Sequence, residues 1–196
     1  MLELLLTFLA AALFSNLVLS TGFGSSLLLR VTRRPKELLW FSGTMLLFAV
    51  LTTISTFYVL PLFTFKGGHY LRPLAIIVAV TVLYLLAVLL LKKALPALYK
   101  RVELWLPMAA YNNVVVGVCL LANHQIAVTL LGAIGMAAGA CVGFCLLSLL
   151  VAEAREQMDH SDMPRAFRGL PVTLLWFGLM ALAMLGFSSR ADTCGK

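Results

Sequence analysis

Charge is scarce in this 196-residue sequence: Asp, Glu, Lys and Arg make up 12% of it, and the middle of every long apolar run contains none of them. An ionisable group inside a bilayer is costly and usually functional, so its absence excludes a self-contained proton relay through this chain. The four cysteines, Cys119, Cys141, Cys145 and Cys194, form no CxxC pair and no secreted disulfide spacing. No GxGxxG, P-loop or nucleophile motif occurs, so nucleotide binding and hydrolysis are not expected and no catalytic residue is assigned. The three histidines, His69, His124 and His160, fall in separate loops and make no metal site. A basic segment ahead of the first apolar run is also missing. The chain begins MLELLLTFLAAALF with Glu3 as its only early charge, so that run is expected to persist as a helix and not to be cleaved as a signal peptide.

What is abundant is apolar surface. Hydrophobic residues make up 62% of the chain and mean hydropathy is +1.00, which assigns it to the polytopic membrane class. Roughly 20 consecutive apolar residues cross a bilayer as a helix. Six such runs can be read: residues 4–29, 38–62, 73–91, 102–122, 126–152 and 170–188. The net charge of +7 is unevenly distributed. Arg30, Arg33, Arg34 and Lys36 follow the first run, Lys92, Lys93, Lys100 and Arg101 follow the third, and Arg155, Arg165 and Arg168 lie around the link between the last two. Only Lys66, Arg72, Arg190 and Lys196 lie on the other side. This is a topology signal and not a nucleic-acid footprint: the basic side faces the cytoplasm, so both termini are expected outside, in the periplasm if the cell is Gram-negative.

An odd number of spans in each half gives repeats of opposite orientation, about residues 1–95 and 100–190 of a single all-α transmembrane domain. The first run carries SNLVL at 15–19 and the fourth NNVVV at 112–116, each an amide followed by three aliphatic residues. Helix-weakening residues lie nearby: STGFGSS at 20–26, and Pro107 and Gly117 around the second amide. Interruptions at matching places in two halves predict broken helices 1 and 4 that meet near the midplane. Lipid cannot satisfy the backbone groups a break frees, whereas amide and hydroxyl groups can. Asn16, Ser20, Thr21, Ser25, Ser26, Asn112 and Asn113 are the candidates for the breaks. Their neutral oxygens also suit the passage of a hard cation such as Na⁺. In the fifth run Gly135, Gly139 and Gly143 share one face, predicting close approach of another helix. Cys141 and Cys145 stand one turn apart there, but a two-thiolate metal site needs partners that the sequence does not supply.

The link into the last run carries Arg155-Glu156, Ser161-Asp162-x-Pro164 and Arg168-Gly169, followed by Gly178-Leu179-Met180 and Gly186-Phe187-Ser188. With SNLVL, VTRRPKE and LYKRVELWLP, this pattern resembles the A-type subunits of Rnf (Rsx) complexes and the related E-type subunits of the sodium-pumping Nqr complex. The resemblance implies six helices in an inverted repeat, with helices 1 and 4 broken and the termini outside. It implies a membrane subunit of an ion-translocating oxidoreductase that passes electrons between ferredoxin and a nicotinamide, or from NADH to quinone, while Na⁺ or H⁺ moves. The family pairs such a subunit with a homologous six-helix subunit of opposite topology, and each supplies two cysteines to a shared intramembrane [2Fe-2S] cluster. Asp162, Arg165 and Arg168 then become candidates for docking a neighbouring subunit or an electron carrier.

The sequence departs from the family at both cluster ligands. Ser26 in FGSS and Asn113 in NNVVVG occupy the cysteine positions. Iron in such clusters favours soft anionic sulfur, which neither side chain offers. The leading expectation is a scaffold or ion-path subunit with no cluster ligands of its own. A divergent paralogue transporting an ion or small molecule is the alternative. A third reading keeps a cluster through Cys119, Cys141 or Cys145.

Overall fold

The computed structural model describes residues 2–14, 19, 22, 25, 35–59, 68–94, 96–124, 129–159 and 169–194. These residues are helical nearly throughout and include no strand. The first span starts as α1 (Leu2–Leu9) and widens into a π turn at Ala10–Phe14. Then follow α2 (Pro35–Val59), α3 (Arg72–Ala94), a short α4 (Pro96–Val102), α5 (Leu106–Ala110), α6 (Asn113–His124), α7 (Leu130–Asp159) and α8 (Leu170–Cys194). Three helices are long and apolar enough to cross a membrane, over Trp40–Val59, Arg72–Lys93 and Leu130–Gln157. Shorter apolar helices cover Leu2–Ala12, Leu106–Leu121 and Leu170–Gly186. α7 extends past the apolar run into AEAREQMD, because these are mostly good helix formers once the chain reaches water.

The core is built on α2 and α7. Phe41 packs against Phe144 with ring centroids 5.9 Å apart, and edge-on against Trp105 at 6.1 Å. Leu38, Met45, Ile76, Val114, Val118 and Ala137 complete the fully buried centre of the cluster. α3 and α8 lie at the periphery. Leu74, Val78, Leu85 and Leu89 of α3 and Leu174, Leu175, Leu182 and Leu185 of α8 are all more than half exposed. So much apolar surface on two helices is a lipid-facing arrangement, since a soluble monomer rarely leaves patches of that size in water.

Two sets of contacts fix helix directions. Glu3 meets Thr129, the Leu4–Thr7 turn meets Gly135 and Phe8 meets Gly139, so α1 and α7 run parallel. Met45 meets Asn112 and Thr53 meets Cys119, so α2 runs parallel to α5 and α6. Each parallel pair is what an odd number of intervening crossings produces. Gly135 and Gly139 are required at the first contact. A Cβ on Gly139 would strike the Phe8 carbonyl oxygen and lie 3.0 Å from Ala11 Cβ. On Gly135 it would meet Thr7 Oγ1 and lie 2.7 Å from the Leu4 carbonyl oxygen. Two backbones approach this closely only where one lacks side chains.

Candidate functional site at the helix break

The fourth span is interrupted between α5 and α6, at Tyr111 and Asn112. Pro107 is accommodated in the first turn of α5, where its missing N–H costs nothing. α5 closes with the Tyr111 N–H bonding the Pro107 carbonyl at 3.0 Å. Gly117 lies inside the continuous α6 and is not the point of interruption.

Asn112 holds the break together. It is fully buried and caps α6, its Oδ1 accepting the Val114 N–H at 3.1 Å. Its carbonyl oxygen accepts the Val115 N–H at 2.9 Å, and its Nδ2 points at Met45 Sδ 3.2 Å away on α2. A side-chain cap satisfies one of the N–H groups that a helix start leaves without a partner. In an apolar interior that donor has no water to turn to.

Asn113, one residue on, is exposed. It opens α6 on the side away from the core, while Cys119 points inward. Six residues advance about 9 Å and about 240° around a helix, so the two cannot exchange places without a change of register. Cys119 is fully buried, its Sγ 3.7 Å from Thr53 Oγ1. Cys141 is buried in the same cluster, and Cys145 is partly exposed one turn away. Among the described residues no three His, Cys, Asp or Glu side chains come together. At Asn113, where the resemblance implies a cluster ligand, the side chain is a neutral amide, and Cys119 of the same helix is turned into the core. These residues do not fit an iron–sulfur cluster.

In the first span, Gly22 takes a φ of 73° and its carbonyl accepts the Ser25 N–H at 3.2 Å. That is a turn with a left-handed residue, a backbone state foreign to an α-helix and suited to glycine. Asn16, Ser20, Thr21 and Ser26 lie outside the described residues, as do Asp162, Arg165 and Arg168.

α2 supplies partners that the sequence pattern does not single out. Met45 and Thr53 meet Asn112 and Cys119, and Thr52, Thr53 and Thr56 form a buried hydroxyl ladder. Thr56 Oγ1 donates to the Thr52 carbonyl at 2.8 Å, whereas Thr52 Oγ1 and Ser42 Oγ are buried without a partner among the described residues. The TTIST run at 52–56 is the signal for this ladder. The buried polar groups around the break are amide, hydroxyl and thiol. They can solvate a cation or bond backbone, but they carry no charge for acid–base work.

Comparison with known proteins agrees with this architecture along its length. Residues 4–190 match the family described as Rnf-Nqr subunit, membrane protein. The chain is 32% identical over 192 residues to the A-type subunit of the ion-translocating oxidoreductase complex of Alcanivorax borkumensis, covering 96% of this chain and 97% of that one. It is 32% identical over 188 residues to the corresponding subunit of Syntrophotalea carbinolica, covering 95% and 96% respectively. The A-type subunit of the Na⁺-translocating ferredoxin:NAD⁺ oxidoreductase complex of Acetobacterium woodii is 39% identical over 119 residues, 61% of this chain and 62% of that one. Apolar helices around a capped break, matched over almost the whole chain, make this protein a member of the Rnf-Nqr family of membrane subunits.

Proposed function

We propose that this chain is the A-type membrane subunit of an Rnf-like ion-translocating oxidoreductase complex, and that it acts there as a scaffold and ion-path element supplying no cluster ligand. The observation that carries this reading is Asn113. Similarity extends over residues 4–190, yet the ligand position at the break holds an exposed amide. An amide facing lipid is unfavourable, so its exposure supports a protein partner covering this point. A homologous six-helix subunit of opposite topology fits that role. The complex then resides in the bacterial cytoplasmic membrane with both termini of this chain outside.

The helix pairings support an inverted repeat. Exchanging spans 1, 2 and 3 with 4, 5 and 6 converts the parallel pair α1 and α7 into the parallel pair α6 and α2, and both pairs are in contact. The same exchange leaves the central pair of α2 and α7 unchanged and swaps the peripheral α3 with α8. Such an exchange brings the two interrupted spans to equivalent places. Asn16, Ser20, Thr21, Ser25 and Ser26 from one break, with Asn112 and Asn113 from the other, then line the ion path. Asp162, Arg165 and Arg168 serve docking on the cytoplasmic side.

Purification of the intact assembly tests the proposal, with subunits identified and iron and acid-labile sulfide measured on the same sample. Flavin-bearing subunits and a homologous six-helix partner are expected to copurify. Two irons per complex assignable to this interface would overturn the cluster-free role. Isolation of the chain without such subunits would overturn the subunit role and favour an independent transporter.

A further inference from the structure

A groove of about 330 Å³ runs between α2 and α3, lined almost wholly by carbon. On α2 its wall is Trp40, Gly43, Thr44, Leu47 and Leu51, and Leu91 of α3 stands opposite. We propose that this groove holds one acyl chain of an anionic glycerophospholipid, whose phosphate is met by Lys92, Lys93 and Lys100.

Length, shape and charge each support this occupant. The α2 positions follow a helical stripe from Trp40 to Leu51, eleven steps along the helix or roughly 16 Å at 1.5 Å per residue. That is about half of the ~30 Å hydrocarbon core, the depth of one leaflet. Gly43 lies within the stripe, and a Cβ there would meet nothing within 4 Å, so the missing side chain leaves open width. The volume is at the small end of the roughly 300–1,000 Å³ typical of ligand pockets, suiting one chain and not a folded segment. One end of the groove is basic: Leu91 and Val102 line it, and exposed Lys92, Lys93 and Lys100 lie between them in sequence. Lys92 Nζ sits 5.1 Å from the centre of the Tyr99 ring, and the Tyr99 hydroxyl donates to Glu103 at 3.4 Å. Tyr99 thus fixes one ammonium at the mouth and engages the nearby carboxylate. Trp40, half exposed at the same end, has the amphipathic ring that settles at headgroup depth. A basic pocket between spans, opening toward an anionic leaflet, recognises headgroup phosphate.

The test uses the protein in its native assembly, placed in nanodiscs that contain phosphatidylglycerol with a photoreactive diazirine on one acyl chain. After irradiation, adducts are mapped by peptide mass spectrometry and compared with those of a phosphatidylcholine probe bearing the same chain. Adducts should concentrate on residues 40–51 and 87–91, with phosphatidylglycerol exceeding phosphatidylcholine by roughly fivefold or more. Gly43→Leu fills open space, so it should spare assembly and remove most groove adducts while those on α8 persist. Lys92→Gln with Lys93→Gln should bring phosphatidylglycerol labelling down toward the phosphatidylcholine level, which itself stays unchanged. Equal labelling by the two probes, or labelling indifferent to Gly43→Leu, overturns the proposal. So do adducts that fall on a neighbouring subunit and spare residues 40–51 and 87–91.

Discussion

Adding a single methyl group at Gly139 tests the contact between α1 and α7. The new Cβ would strike the Phe8 carbonyl oxygen and lie 3.1 Å from its carbon. Carbon contacts become attractive only at about 3.5–4.0 Å. The obstacle is backbone, which a rotamer change cannot clear, so α1 must retreat as a unit. Overpacking of this kind costs about 1–3 kcal/mol, and a rigid obstacle belongs at the upper end. Replacing a mid-helix glycine with alanine returns about 1 kcal/mol of helix propensity. Gly139→Ala should therefore destabilise the chain by about 2 kcal/mol. Gly178→Ala on α8, where an added Cβ meets nothing within 4 Å, should stabilise it by up to about 1 kcal/mol. Reversible unfolding in mixed micelles, followed by tryptophan fluorescence, measures both. Because α1 need retreat only once, Gly135→Ala combined with Gly139→Ala should cost about 0.5–3 kcal/mol less than the sum of the single changes. Equal stability of Gly139→Ala and Gly178→Ala, within about 0.5 kcal/mol, would refute the close approach.

Asn112→Ala removes the cap on Val114 and should cost about 1–3 kcal/mol in the same unfolding assay, with Asn112→Ser recovering part of the loss through its hydroxyl; no loss would show that the break needs no cap. Gly22→Ala forces a Cβ into the left-handed region and should cost about 1–2 kcal/mol, read as a lower melting temperature of the purified chain. Asn113→Cys should react with N-ethylmaleimide in the separated chain and be protected in the assembled complex, while buried Cys119 and Cys141 react only after denaturation, as peptide mass spectrometry would read. Equal labelling of Asn113→Cys in both states would argue against a partner at the break.

The apolar helices are legible in the sequence because each depends on one local quantity, apolar length: three are long enough to cross a membrane, and shorter apolar helices fall in the other three runs. The glycine stripe of the fifth span is legible as a close-packing face for the same reason: 135, 139 and 143 repeat at the helical period. Its partner is not, since nothing local to Gly139 names Phe8, more than a hundred residues away. The break shows the same division. Pro107 and Gly117 attract attention as breakers, yet both are absorbed, one in a first turn and the other inside α6. The interruption falls between them, at the residue that can cap the next helix and reach Met45 on α2. The groove between α2 and α3 leaves no trace in sequence, because it depends on how two helices separate around Gly43.

The parallel pairing of α1 with α7 has a consequence for how the protein is made. Leu4 and Gly135 are separated by about 130 residues, which at roughly 5–20 residues per second take roughly 6–26 s to synthesise. Throughout that interval the first span sits in the membrane without the helix it fits. Leu4, Thr7, Phe8 and Ala11 must meet lipid or the insertion machinery until Gly135 and Gly139 arrive. Closure of this interface is therefore a late event of biogenesis, and a ribosome that stalls after the fourth span leaves the first with nowhere to dock.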